Sequence, residues 1–511
     1  MLSSVLKTPP PPIPEIIDRL PNISGWEKEV AEVVNHHDPV FLGSTNLRLE
    51  NVTAAFAIAL HLHQPTIPAG KNGEPISNLL YMFEERGDND KARALLNGYS
   101  RIADLIPELV ADGCNPRIML DFSGNLLWGL RQMRGGDIVE KLKRIGIDGV
   151  YRPYVEWLGT MWSHAVLPST PIPDIKLHIR AWQHHFAAIF GWEALSKVKG
   201  FSPPERALPN HPDTLFEFVK ALKQAGYRWV LVQEHSVETL TGQPLQDKHL
   251  PHRLVARNSY GETLSITALI TTQGSERDVV GQLQPYYEAK TLSRQPLGAV
   301  SVPPLVTQIR EGEQGSVMMD EFPQAFQQVW YGMARQGRGK TGVVGMNGTE
   351  YLELVEAAGY KPEDYPACQA IGQHQVWQRV SLERCTPEAV TQAIEQLQQI
   401  NPNFHMDAAS WTNDLSWVKD YESVLTPIQQ LSALFHQKTD PLLKLEAKAK
   451  NFRGYGYSSV VPLTKQSRYR EALMNNLLLQ SSCFREDQTG IWADYAGEIY
   501  RRAQAQLQRN F

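Results

Sequence analysis

Cysteine is scarce and scattered in this 511-residue chain. Cys114, Cys368, Cys385 and Cys483 lie far apart and form no CxxC pair. That spacing excludes a zinc knuckle and a disulfide framework, and it suits a reducing compartment. Long apolar runs are missing as well. No stretch approaches the roughly 18 apolar residues that span a membrane, and the opening MLSSVLKTPPPPIPEIIDRL lacks the apolar centre of a signal peptide. Neither sign of charge dominates. With 50 Lys and Arg against 55 Asp and Glu, the formal net charge of -5 leaves no basic footprint for phosphate backbones or anionic lipid. The expectation is a cytoplasmic protein without nucleic-acid or membrane partners. Nothing in the pattern sets an oligomeric state.

What is present suits a soluble enzyme. Apolar residues make up 42% and charged residues 21%, and the length fits one large α/β barrel with an appended domain. Twelve Trp and 18 Tyr are generous; their faces fill cores or serve as stacking platforms for sugars. Pro9 to Pro12 cannot be helical, so residues 1–50 read as an extension with a stiff start and one short helix. Two periodicities then alternate. AAFAIAL (54–60), RIML (117–120), YRWVLV (227–232) and SVMM (316–319) read as buried strands. Helical stretches separate them, such as KARALLNGYSRIADLIPELVADG with Leu95, Leu96, Tyr99, Ile102, Leu105, Ile106 and Leu109 on one stripe. Such alternation implies a parallel sheet, closed or doubly wound. After about residue 385 only helical spacing remains. Three parts follow: extension (1–50), barrel (51–384) and a helical domain (385–511). No Gly- or Ser-rich tether precedes the last, so it is expected to pack on the catalytic face.

Barrels of parallel strands carry reactive groups where strands end and loops begin. Five places qualify. HLHQP (61–65) puts His61 and His63 on one side of a strand end, with Gln64 beside them. They are either donors at the mouth or satisfied structural histidines. YVEWLGTMWSHAVLP (154–168) offers Glu156, Trp162 and His164, a sugar-binding cluster or a loop with a buried Trp. GFSPPERALPN (200–210) fixes Glu205 behind two prolines. That rigidity suits a carboxylate held to sub-ångström tolerance, and the position equally suits the first turn of a helix. In GSVMMDEFPQAF (315–326), Asp320 follows a strand-like run; it is a barrel acid or a helix cap. NFHMDAASWTNDLSW (403–417) brings Trp411, as a stacking surface over the mouth or as interdomain core.

Taken in order, these segments resemble the motif set of glycoside hydrolase family 57. HLHQP resembles its first motif, the Glu-to-SHAVLP stretch its second, GFSPPE its third and SVMMDEF its fourth; ASWTNDLSW matches the fifth loosely. In the family a Glu commonly lies two residues after the catalytic Asp, whereas here Glu321 lies one after. The resemblance covers about residues 50–435. It implies an incomplete (β/α)7 barrel followed by a helical domain. It also implies retaining chemistry on α-glucans, as hydrolysis or as transfer to a sugar, without metal or cofactor.

On that resemblance Glu205 is the nucleophile and Asp320 the general acid/base. His61, His63, Gln64, Glu156 and His164 bind substrate, and Trp162 and Trp411 stack on sugar rings. Retention requires two carboxyl groups about 5–5.5 Å apart across the scissile bond. Two rivals remain. HxH on a first strand also opens metal-dependent amidohydrolase sites, which need further His ligands and an Asp on later strands; His235 alone is available. A catalytically inactive carbohydrate-binding protein on the same fold is the other.

Overall fold

The computed structural model describes residues 10–84, 87–133, 136–272, 283–298, 300–312, 321–335, 337, 341–381, 385–407, 421–452, 461–485 and 490–511. Seven parallel strands close into a barrel in sequence order: β1 (Val52–Leu62), β2 (Ile118–Phe122), β3 (Val155–Gly159), β4 (Gly200–Phe201), β5 (Trp229–Gln233), β6 (Thr263–Thr271) and β7 (Leu305–Glu311). β7 pairs back onto β1 from Leu305–Ala55 to Glu311–His61, which closes the ring. A short β8 (Gly342–Gly345) adds to the lower half of β1. This is the (β/α)7 architecture that the family resemblance implied, and it settles the closed form of the parallel sheet that the alternation left open.

β1 explains how the barrel fills. Ala55, Ala57 and Ala59 face the axis, while Ala54, Phe56, Ile58 and Leu60 face the surrounding helices. Small side chains on β1 leave room for Trp229, which reaches inward from β5 among Met119, Leu158, Leu231, Leu269 and Ile309. Gly200 on β4 is required there, because a Cβ would come within 2.2 Å of the Trp229 ring. The seventh strand is Leu305–Glu311, earlier than the sequence pattern suggested; SVMM (316–319) lies outside the described residues.

The helix Gly348–Ala357 closes the end of the barrel from which the strands start. Trp229 Nε1 donates to Thr349 Oγ1 at 2.8 Å, Arg117 Nε donates to Glu350 at 2.7 Å, and Glu353 accepts from the backbone of Phe41 and Leu42 in the extension. Buried polar groups need such partners. At the other end, strand alternation lifts His61, Asp121, Gln233, Thr271 and Glu311 one layer above the apolar plug. That end is the mouth.

The C-terminal region contains helices Pro387–Ile400, Glu422–Phe452, Ser467–Leu478 and Ile491–Asn510. It is joined to the barrel by a buried polar network. Asp174 accepts from Gln480 Nε2 at 2.7 Å and from Asn476 Nδ2 at 3.0 Å, and lies 2.8 Å from His436 Nε2. Asp174 comes from the helix Ile172–Phe190 of the barrel layer.

Candidate active site

At the mouth three histidines form a stack. The ring of His164 lies between those of His61 and His63, at 4.5 and 4.2 Å between centroids. Each is fixed through Nδ1. His61 Nδ1 lies 2.7 Å from Asp121 Oδ2, His63 Nδ1 lies 2.7 Å from Ser123 Oγ, and His164 Nδ1 lies 2.8 Å from Ser482 Oγ. Burial holds the pKa of His63 and His164 well below the usual imidazole range, and the other histidine charges push the same way. Both are therefore neutral at pH 7. Ser482 hydrogen-bonds the Glu205 carboxylate. Its hydroxyl therefore donates to Glu205 and accepts from His164 Nδ1–H. The buried Nε2 of His164 is left as an acceptor with no partner among the described residues.

Glu205 sits beside this stack, with its Oε1 3.6 Å from His164 Nδ1 and its side chain 15% exposed. Its backbone is left-handed at φ 54°, as are Arg206 at 54° and His164 at 62°. Non-glycine residues there cost about 1–2 kcal/mol each and are held by their surroundings. Pro203 and Pro204 stiffen the approach, and the amides of Arg206 and Ala207 bond back to the carbonyls of Pro203 and Pro204 at 3.0 and 3.1 Å. Burial pushes the Glu205 carboxyl up to about 7, and the neighbouring charge of Glu311 adds to this. Ser482, His61 and Arg206 pull the other way. Arg485 is buried nearby; burial lowers its pKa to about 10, and the Glu205 charge partly restores it.

The structure brings together His61, His63, His164 and Glu205. Gln64 lies in the adjoining loop, where it accepts from Asn78 Nδ2 at 3.2 Å. Glu156 and Trp162 are not brought to the cleft. Glu156 is the second residue of β3, not its last, so it points into the lower barrel and accepts from the Thr349 amide at 3.0 Å. Trp162 is fully buried, packs against Gly124 and donates from Nε1 to His185 Nδ1 at 3.2 Å. Asp320 and Trp411 lie outside the described residues. Among those described, no group of three or more His, Cys, Asp and Glu is placed to hold a metal ion.

Several neighbours escaped the sequence reading. Asp121 and Ser123 directly follow a predicted strand, so the same strand-end rule points to them. Ser482, Cys483 and Arg485 come from the turn after the helix Ser467–Leu478. Cys483 Sγ lies 3.4 Å from His63 Nε2. No local signal marks these three, because only tertiary packing brings them to the mouth.

The barrel thus carries a strained, buried glutamate among stacked histidines at its C-terminal rim. Residues 53–268, which carry the three histidines and Glu205, match the family described as Glycosyl hydrolase family 57. In structure it is similar to a 4-alpha-glucanotransferase from Thermococcus litoralis, at 15% identity and TM-score 0.53, over 90% of this chain and 60% of that one. The chain thus spans about 60% of that relative's length. It is also similar to a GH57 branching enzyme from Thermococcus kodakaraensis in complex with glucose, at 12% identity and TM-score 0.50, over 89% of this chain and 91% of that one. At these identities the likeness concerns the fold. No curated protein matches the sequence.

Proposed function

We propose that this protein cleaves α-1,4-linked glucan with retention of configuration and passes the glycosyl group to water or to a sugar hydroxyl. The observation that carries this reading is the placement of Glu205: a rigidly held carboxylate at the barrel mouth, bonded through Ser482 to the histidine stack. Glu205 attacks the anomeric carbon and forms a covalent glycosyl-enzyme. The Nε2 acceptor of His164, with His61 and His63 on either side, binds sugar hydroxyls around the cleaved bond, and Gln64 extends that surface. A second carboxyl group protonates the departing oxygen and later deprotonates the acceptor. On the sequence pattern that group is Asp320, with Trp411 stacking on a more distant sugar ring. The reaction needs no metal or cofactor.

The same reading divides the chain into extension (1–50), catalytic barrel (51–384) and helical region (385–511), the last completing the site. It places the protein in the cytoplasm; no helix among the described residues is long and apolar enough to cross a membrane. The amidohydrolase rival needs a metal site, and among the described residues no group of three or more His, Cys, Asp and Glu is placed to hold one.

Product analysis with amylose and with maltooligosaccharides tests the proposal. Wild-type protein is expected to yield shorter oligosaccharides, or both shorter and longer ones. Glu205→Gln keeps side-chain shape and should lower turnover by about a thousandfold or more with an unchanged circular dichroism spectrum. No product from the wild type would contradict the reading.

A further inference from the structure

The family resemblance makes Asp320 the acid, and barrel acids stand where a strand ends. The seventh strand, however, ends at Glu311. Along β7, Leu305 and Ile309 face the barrel axis with the alanines of β1, while Val306 faces the helices. The alternation therefore turns Glu311 toward the axis, directly above Ile309. Its register partner on β1 is His61, which β2 pairs with Asp121 in turn. His61 stacks on His164, and His164 Nδ1 lies 3.6 Å from Glu205. Arg206, next to Glu205, lies in the field of both Glu311 and Glu205. Glu311 is half-buried, so substrate can reach it.

We infer that Glu311, at the end of the seventh barrel strand, is the general acid/base that works opposite Glu205. This rests on the reading of Glu205 as nucleophile of a retaining α-glucan reaction.

The chemistry closes with these two groups. In the first step a Glu205 oxygen bonds to C1 as the C1–O bond to the departing sugar breaks. The leaving oxygen keeps the bonding electron pair and takes the proton from Glu311, which becomes a carboxylate. In the second step the oxygen of water, or of a sugar hydroxyl, bonds to C1 and surrenders its proton to Glu311. The C1–Glu205 bond breaks, and both carboxyl groups return to their starting states. Arg206, within the field of both, steadies whichever one is charged.

Chemical rescue by azide distinguishes an acid/base from a residue that only shapes the site. Full-length Glu311→Ala, Asp320→Ala and Glu205→Ala are assayed on maltooligosaccharide and on a 4-nitrophenyl α-maltooligoside, with and without azide. Glu311→Ala should lose about 100-fold or more on maltooligosaccharide. It should lose much less on the nitrophenyl substrate, whose leaving group needs no proton. Azide should accelerate that variant and give an α-glycosyl azide, because it intercepts the covalent intermediate. Glu205→Ala, if rescued, should instead give the β-azide. Asp320→Ala should give no α-azide. Glu311→Gln, closest in shape, should show the same loss on maltooligosaccharide and the same smaller loss on the nitrophenyl substrate. Rescue with α-azide in Asp320→Ala but not in Glu311→Ala would overturn the inference and leave the functional reading standing. Failure of the wild type on both substrates would overturn the two together.

Discussion

The charge on Glu205 is set by its neighbours, and that makes its role measurable through pH. A nucleophilic carboxylate must be ionised, while burial and the Glu311 charge push Glu205 up to about 7. Turnover in kcat/KM should therefore rise with pH through an acidic limb near 7. Ser482 donates to the carboxylate and favours its charge, so Ser482→Ala should move that limb to higher pH. An unmoved limb in Ser482→Ala would mean that this hydroxyl does not sense the Glu205 charge. Glu156 carries a different pKa shift. Burial raises it from 4.5 to about 8, with Glu353 and Glu350 adding to the effect and Thr349 opposing it. A folded-state pKa above the unfolded one contributes stability at low pH that is lost as pH rises, here between about 4.5 and 8. Glu156→Gln should flatten the fall in melting temperature across that window and leave glucan turnover nearly unchanged. A large loss of turnover would return Glu156 to the substrate site.

At the level of elements, the barrel depends on matched sizes across its axis. The alanines of β1 and the bare backbone at Gly200 accommodate the Trp229 ring, which links the apolar plug to Thr349 below. Gly200→Ala should cost about 1–3 kcal/mol in urea unfolding through overpacking; an unchanged midpoint would mean that the ring shifts freely. The elements also show how far local pattern reaches. β1, β2 and β5 were legible because each is an apolar run bounded by polar residues, and the helix Asn89–Ala111 because its stripe repeats at helical spacing. β4 has only two residues, too few for any period. β7 was passed over because its LVTQIRE mixes polar and apolar residues. That alternation belongs to a strand whose upper half lines a mouth. With the strand placed at SVMM, the strand-end rule pointed to Asp320, as the family resemblance did, and Glu311 went unweighed.

Over the whole molecule, the site joins parts distant in the chain. Histidines from the first strand and the loop after the third meet Glu205 behind the fourth, and a serine and an arginine from beyond residue 480 complete the shell. Motifs made the first group readable, because a strand end followed by His, Gln and Pro is visible locally. The second group was not readable: a Ser-Ser-Cys-Phe-Arg turn has no property of its own that reports what it packs against. The helical region therefore contributes directly to Glu205 through Ser482 and Arg485. The central claim is that Glu205 becomes covalently glycosylated. It is tested most directly by trapping the protein with a 5-fluoro-α-glycosyl fluoride, whose fluorine slows release of the intermediate, and mapping the modified peptide by mass spectrometry. The account predicts one glycosyl adduct per chain, on Glu205, that turns over when a maltooligosaccharide acceptor is added. An adduct on another residue, or none under conditions in which wild-type protein cleaves maltooligosaccharide, would contradict it.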